Sequence, residues 1–255
     1  MPNWCFNSVI VSAKTEAELN EFLDFADKPH TSNHYDYQTD TNVLDENDKG
    51  VFWNFITPPA EILDEYFASQ SKIKISASTD FNSSLPEIEH KLAVSNHWYD
   101  WNVRNWGTKW DKTLDREYIT LDQRNDGNWY FNWSFDTAWS PAVEAYDAMA
   151  ERFPNLEFEY EITEEANFFA GKLHYAGGVL VSDQFVDSPS HADFMALDIP
   201  CTACVWGEVD EYTTQQILTL PKDELEAQSE WLFDDCPFRL LAEKRIAELD
   251  ELEVE

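Results

Sequence analysis

Trp129, Phe131, Trp133 and Phe135 alternate with Tyr130, Asn132, Ser134 and Asp136. A period of two predicts a strand with one wholly aromatic face. Asp126-Gly127 just before it is a hairpin signal and joins it to a strand over 117–122. Ser140 followed by Pro141 reads as a helix N-cap with proline at the first helical position. That helix buries Val143, Tyr146, Met149 and Ala150 and ends near Phe153-Pro154. Leu156, Phe158, Tyr160 and Ile162 then alternate with Glu157, Glu159 and Glu161, giving a strand with an apolar face and a row of carboxylates. Near the start, Trp4, Phe6 and Ile10 alternate with Cys5, Val9 and Val11. Apolar groups on both sides place residues 3–12 inside a sheet. Thr15-Glu16-Ala17-Glu18 is a capping box, and Leu19, Phe22, Leu23 and Ala26 follow at helical spacing.

The other segments carry weaker patterns. Residues 30–50 are polar and read as loop, 51–57 as a short strand stopped by Pro58-Pro59, and 60–69 as a helix. Ser84-Leu85-Pro86-Glu87 opens another helix with Leu85, Ile88 and Leu92 inward. Strands are expected over 167–175 and 178–185, turning at Gly177-Gly178. Residues 188–211 look irregular, and two helices follow near 222–232 and 238–252. With 27–114 set aside, the order is strand, helix, strand, strand, helix, strand. The expected class is therefore α+β, with a ferredoxin-like βαββαβ core, a long α/β insertion and a C-terminal helical extension. The core domain spans 1–187 and the acidic extension 188–255.

Composition sharpens this picture. Seven of the eleven tryptophans fall between 98 and 141. We assign Trp4, Trp106, Trp110, Trp129, Trp133 and Trp139 to a structural aromatic core. Stacked nucleic-acid bases are the alternative, but only Arg104, Lys109, Lys112, Arg116 and Arg124 lie nearby to meet phosphates. Fifty acidic residues against 17 basic ones give a formal charge of -33. That balance opposes duplex nucleic acid as a ligand and favours basic partners. Glu157, Glu159 and Glu161 on one strand, with Glu243, Glu248, Asp250 and Glu251 on the last helix, are the expected partner-binding residues.

Catalytic signatures are absent: there is no Walker loop, GxGxxG, HExxH or nucleophile elbow. Six histidines form no tight motif, so the expectation is no enzyme and no cofactor. Asp45, Asn47 and Gly50 fail as a calcium loop at Lys49 and Ile56. Cys201-Thr202-Ala203-Cys204 has the spacing of half a metal knuckle. Only Cys5, Cys236 and scattered histidines, with His191 ten residues upstream, could complete it, so buried thiols and no metal are expected. Without a basic, apolar leader or a membrane-length apolar run, the reading is a cytoplasmic protein with reduced thiols.

Three blocks resemble the YubB ferredoxin-like family of phage and plasmid accessory proteins. They are 1–7 (MPNWCFN), 105–111 (NWGTKWD) and 135–141 (FDTAWSP). The resemblance implies a ferredoxin-like core and a mobile-element origin, and it brings no catalytic residues. Joined to the charge, it suggests an acidic, non-catalytic inhibitor of a host nucleic-acid-processing or defence enzyme, of anti-restriction or anti-CRISPR type, by nucleic-acid mimicry. A nucleic-acid-binding or replication-linked module using the aromatic sheet face is the alternative, and a small enzyme a second one.

Overall fold

The computed structural model of the chain describes residues 3–36, 38, 41–70, 96–201, 203–204, 214–230 and 232–253. In chain order the elements are β1 (Trp4–Ala13), α1 (Glu16–Ala26), β2 (His30–Asp36), β3 (Thr41–Asp48), α2 (Val51–Phe55), α3 (Leu63–Gln70), α4 (Trp98–Trp106), β4 (Asp122–Gln123) and β5 (Trp129–Ala138). Then come α5 (Val143–Arg152), β6 (Glu157–Glu164), β7 (Phe169–Ala176), β8 (Val179–Asp187), α6 (His191–Leu197), α7 (Thr214–Ile217), α8 (Lys222–Ser229) and α9 (Pro237–Glu253).

Six strands form one sheet in the order β4-β5-β1-β6-β7-β8. The connection from β5 through α5 to β6 skips over β1, and the one from β1 through α1 to β4 skips over β5. That is the split βαβ arrangement of a ferredoxin-like fold. β1 lies inside the sheet between β5 and β6, as its two apolar faces require. It runs antiparallel to β5, with Val9 opposite Trp133 and Val11 opposite Phe131. These side chains share the buried face, because directly opposed residues point the same way.

The helices α1 and α5 close that face. Phe22 of α1 meets Phe131 at 6.0 Å and Phe158 at 5.6 Å between ring centroids. Tyr146 of α5 stacks on Tyr160 at 4.1 Å. The α1 capping box forms as expected: Glu18 N–H donates to Thr15 Oγ1, and Thr15 N–H donates to Glu18.

Four local expectations change. Residues 30–50 are not loop: β2 and β3 pair antiparallel as a separate two-stranded sheet. Residues 51–55 form α2 rather than a strand. The first arm of the β5 hairpin shrinks to Asp122–Gln123, preceded by a 3-10 turn at Arg116–Tyr118. The α5 N-cap is Ala142, because the Ser140 hydroxyl donates instead to the Gly107 carbonyl at 2.7 Å. The helix expected from Ser84 lies outside the described residues.

The chain divides into two compact units. One comprises Met1–Tyr160 and Leu173–Ser182, the other Glu161–Lys172 and Asp183–Glu255. β6, β7 and β8 contribute residues to both. The second unit has its own core of Phe194, Ile199, Leu225, Phe238 and Ala242 with three cysteines. β8 ends the sheet with Val179, Leu180, Val181 and Phe185 all exposed. Among the described residues no helix is long and apolar enough to cross a membrane.

Candidate functional site

The three rare sequence blocks meet in the first unit, and they meet as scaffold. Asn7 is buried in β1, and its amide donates to the carbonyls of Cys5 (2.9 Å) and Phe135 (3.3 Å) and to Thr137 Oγ1 (3.0 Å). Its carbonyl accepts from the Tyr146 hydroxyl at 2.7 Å. Every polar atom of the amide is thereby used, as burial demands. Trp106 donates its indole N–H to the Ile56 carbonyl at 2.9 Å. Gly107 terminates α4 at φ +82°, where a Cβ would press on the Pro141 carbonyl and the Val143 nitrogen. Thr108 Oγ1 accepts from the Ala138 N–H.

Asp111 lies half-buried at the start of α2. One carboxyl oxygen accepts from Phe52 N–H (2.7 Å) and the other from Trp53 N–H (2.9 Å), so Asp111 caps a helix about 60 residues away in sequence. Gly50 allows that approach, since a Cβ there would overlap the carboxyl. Burial pushes the Asp111 carboxyl up to about 7, against the pull of three backbone N–H donors. With both oxygens taken by backbone, the group acts as a cap.

The tryptophan assignments divide. Trp106 and Trp133 are core, as are Trp53 and Trp101. Trp4, Trp110 and Trp129 are half-buried. Trp139 is a correction: it is 41% exposed, at φ +67°. It helps surround the Lys109 ammonium, which lies 4.0 Å from the Trp110 ring centroid, 5.5 Å from Tyr99 and 5.7 Å from Trp139. The aromatic face of β5 is covered, with Phe131, Trp133 and Phe135 all buried, so it offers no stacking platform for bases.

The expected acidic patches are partly neutralised by the chain's own cations. In the first unit Glu159 faces Arg124 at 3.5 Å, whereas Glu157 has the His174 imidazole 3.7 Å away and no Lys or Arg partner among the described residues. In the second, Glu161 pairs with Lys172 at 3.0 Å, Glu243 with Arg239 at 2.8 Å, Glu248 with Arg245 at 3.0 Å, and Asp250 with Lys222. The Glu251 side chain lies outside the described residues. Sequence reading overlooked a different row. Glu144, Asp147 and Glu151 are exposed on α5 and form no ion pair among the described residues. Their spacing of three and four residues puts them on one helix face, opposite the buried Tyr146 and Met149, and that periodicity was the available signal.

The cysteines show the largest departure from expectation. His191, Cys204 and Cys236 bring ligand atoms within 4.8 Å of one another. Cys204 Sγ lies 3.3 Å from Cys236 Sγ and 3.5 Å from His191 Nδ1. Cys201 joins them through hydrogen bonds with Cys204 and His191. All three thiols are buried. The Cys204 thiol, hydrogen-bonded to both neighbours, is held well above its ordinary range, and those same bonds draw Cys201 and Cys236 down to about 6. Asp235 gathers the parts: its carboxylate accepts from His191 N–H and Ala192 N–H, both at 2.9 Å, tying the start of α6 to the residue before Cys236. Cys204 and Cys236, expected to be ordinary buried thiols, thus form a three-member cluster with His191, and Cys201 lies beside it; Cys5 lies in the other unit.

Residues 117–198 match the family model described as a ferredoxin-like domain in Api92-like protein, DUF1281_C. No curated protein matches the chain. Among solved structures, Api92 from Yersinia pseudotuberculosis aligns at 9% identity and TM-score 0.35, over 73% of this chain and 98% of that one. The ferredoxin-like part of the expected resemblance is therefore met over 117–198, under the Api92-like name rather than the YubB one.

Proposed function

We propose that the protein is a non-catalytic, acidic accessory protein of mobile-element type. It docks on the basic surface of a nucleic-acid-processing or defence enzyme, of restriction or CRISPR type, and keeps nucleic acid off it. The observation that carries this reading is the formal charge of -33, the excess of 50 acidic residues over 17 basic ones. Such a field costs the folded chain self-repulsion and speeds encounter with a basic partner. The α5 row supports it best, because Glu144, Asp147 and Glu151 are carboxylates without an ion-pair partner among the described residues. A residue rise of ~1.5 Å spaces them by ~4.5 and ~6 Å along the helix, a compact row that a Lys/Arg groove can cover.

The test compares the parent with two charge-removed variants. Glu144→Gln, Asp147→Gln and Glu151→Gln together should fold and lose salt-sensitive capture of a basic nucleic-acid enzyme. Glu157→Gln, Glu159→Gln and Glu161→Gln together should keep it. The parent should also compete with labelled DNA for the captured enzyme, mostly by a fast on-rate that falls with ionic strength. Equal capture by all three proteins, or no competition with DNA, would refute the proposal.

A further inference from the structure

We propose that His191, Cys204 and Cys236, whose ligand atoms already lie within 4.8 Å of one another, bind one zinc ion and that the neighbouring Cys201 moves in as the fourth ligand, giving a closed, tetrahedral site that staples the C-terminal unit. The donor set is chemically right: three thiols and an imidazole form one of the ordinary structural zinc sets, and soft thiolates select zinc over calcium or magnesium. The geometry is right as well. Zinc–sulfur bonds of ~2.3 Å in a tetrahedron place sulfurs ~3.8 Å apart, and zinc–nitrogen bonds of ~2.0–2.1 Å place sulfur and nitrogen slightly closer. The 3.3 Å between Cys204 and Cys236 and 3.5 Å between Cys204 and His191 Nδ1 need only small adjustments, while the Cys201 sulfur, outside the 4.8 Å cluster of the other three, has to close in. A disulfide would require ~2.05 Å between the sulfurs, far shorter than observed. Cys201 and Cys204 are separated by two residues, as in a knuckle, and Cys236 and His191 arrive from the starts of two other helices.

The surroundings are those of a metal site's outer shell. The Cys201 sulfur accepts the backbone N–H of Cys204, and the Cys236 sulfur accepts those of Phe238 and Arg239. Backbone donors aimed at sulfur stabilise thiolate and fix its direction, which is the role of second-layer partners around a metal. Asp235 holds His191 in place through its backbone and leaves the ring free. On binding, the thiol protons leave to solvent and three thiolates with Zn²⁺ give a site of net charge -1. All four positions come from protein and the thiols are buried, so the ion closes a structural site with no coordination place for a substrate. The unit needs such a staple. Among the described residues, α6, α7 and α8 run from four to eight residues, too short to hold themselves.

The experiment is elemental analysis of the full chain purified without chelator from zinc-replete medium. One zinc per chain is expected, and Cys204→Ser or Cys236→Ser should cut it at least tenfold. Those variants can also unfold, so the parent is stripped of metal and titrated with Co²⁺. Intense visible bands and sulfur-to-cobalt charge transfer should saturate at one equivalent. His191→Cys should keep the metal with a spectrum shifted toward four sulfurs. Less than a tenth of a zinc per chain together with no cobalt spectrum, or a Cys204–Cys236 disulfide in the zinc-replete protein, would overturn the site.

Discussion

Asp111 offers a test in which stability should move with pH in a direction opposite to that of most carboxylates. An unfolded aspartate titrates near 3.9, whereas burial holds this one at about 7. The folded state therefore keeps the proton over a window where the unfolded state has released it. The contribution is fully present below pH ~4 and drains away as pH rises to ~7, about three pKa units or roughly 4 kcal/mol. Asp111→Asn has nothing to titrate. It keeps a carbonyl for Phe52 N–H but turns an amide N–H toward Trp53 N–H, a fixed cost of about 1–3 kcal/mol at every pH. Urea unfolding followed by tryptophan fluorescence at pH 4.5, 6 and 8 separates the two effects. The parent's advantage over the variant should shrink across that range and can change sign by pH 8. A constant difference at all three values would mean that the three N–H donors keep the carboxylate ionised throughout, and would refute the reasoning.

Two further outcomes concern the scaffold. Trp106→Ala should cost about 3–5 kcal/mol, because a buried ring is replaced by a cavity and the Ile56 carbonyl loses its donor; denaturant midpoints at constant slope measure it. Tyr146→Phe leaves the Asn7 carbonyl without its hydroxyl donor and should cost about 1–3 kcal/mol, with the melting temperature lowered and the far-UV spectrum unchanged.

What the sequence revealed was what neighbours in sequence decide. The Thr15–Glu18 capping box, the two-faced β1 and the turn at Gly177-Gly178 are local, and each stands where its pattern put it. α2 reads equally as strand or helix because four of its five residues are apolar, and the capping carboxylate arrives from Asp111. β2 and β3 were hidden because both are polar, so no alternation marks a buried face. Ser140 and Pro141 form a good N-cap signal, yet Gly107 takes the hydroxyl. The carboxylate row of β6 was visible, but its partners on other strands were not. The cysteine pair was likewise visible, while Cys236 and His191 gain meaning only once Asp235 ties their helices together.

The open edge at β8 changes how the acidity bears on handling the protein. A nine-residue edge strand with Val179, Leu180 and Val181 exposed is a template onto which another copy can add. At neutral pH two chains that each carry -33 repel before such edges meet. Near the isoelectric point of about 4.2 that barrier vanishes while the strand remains. Acid storage therefore invites sheet-to-sheet polymerisation, and high salt weakens the same protection by screening. Surface carboxylates thus act as a colloidal safeguard for a strand edge that has no paired neighbour among the described residues.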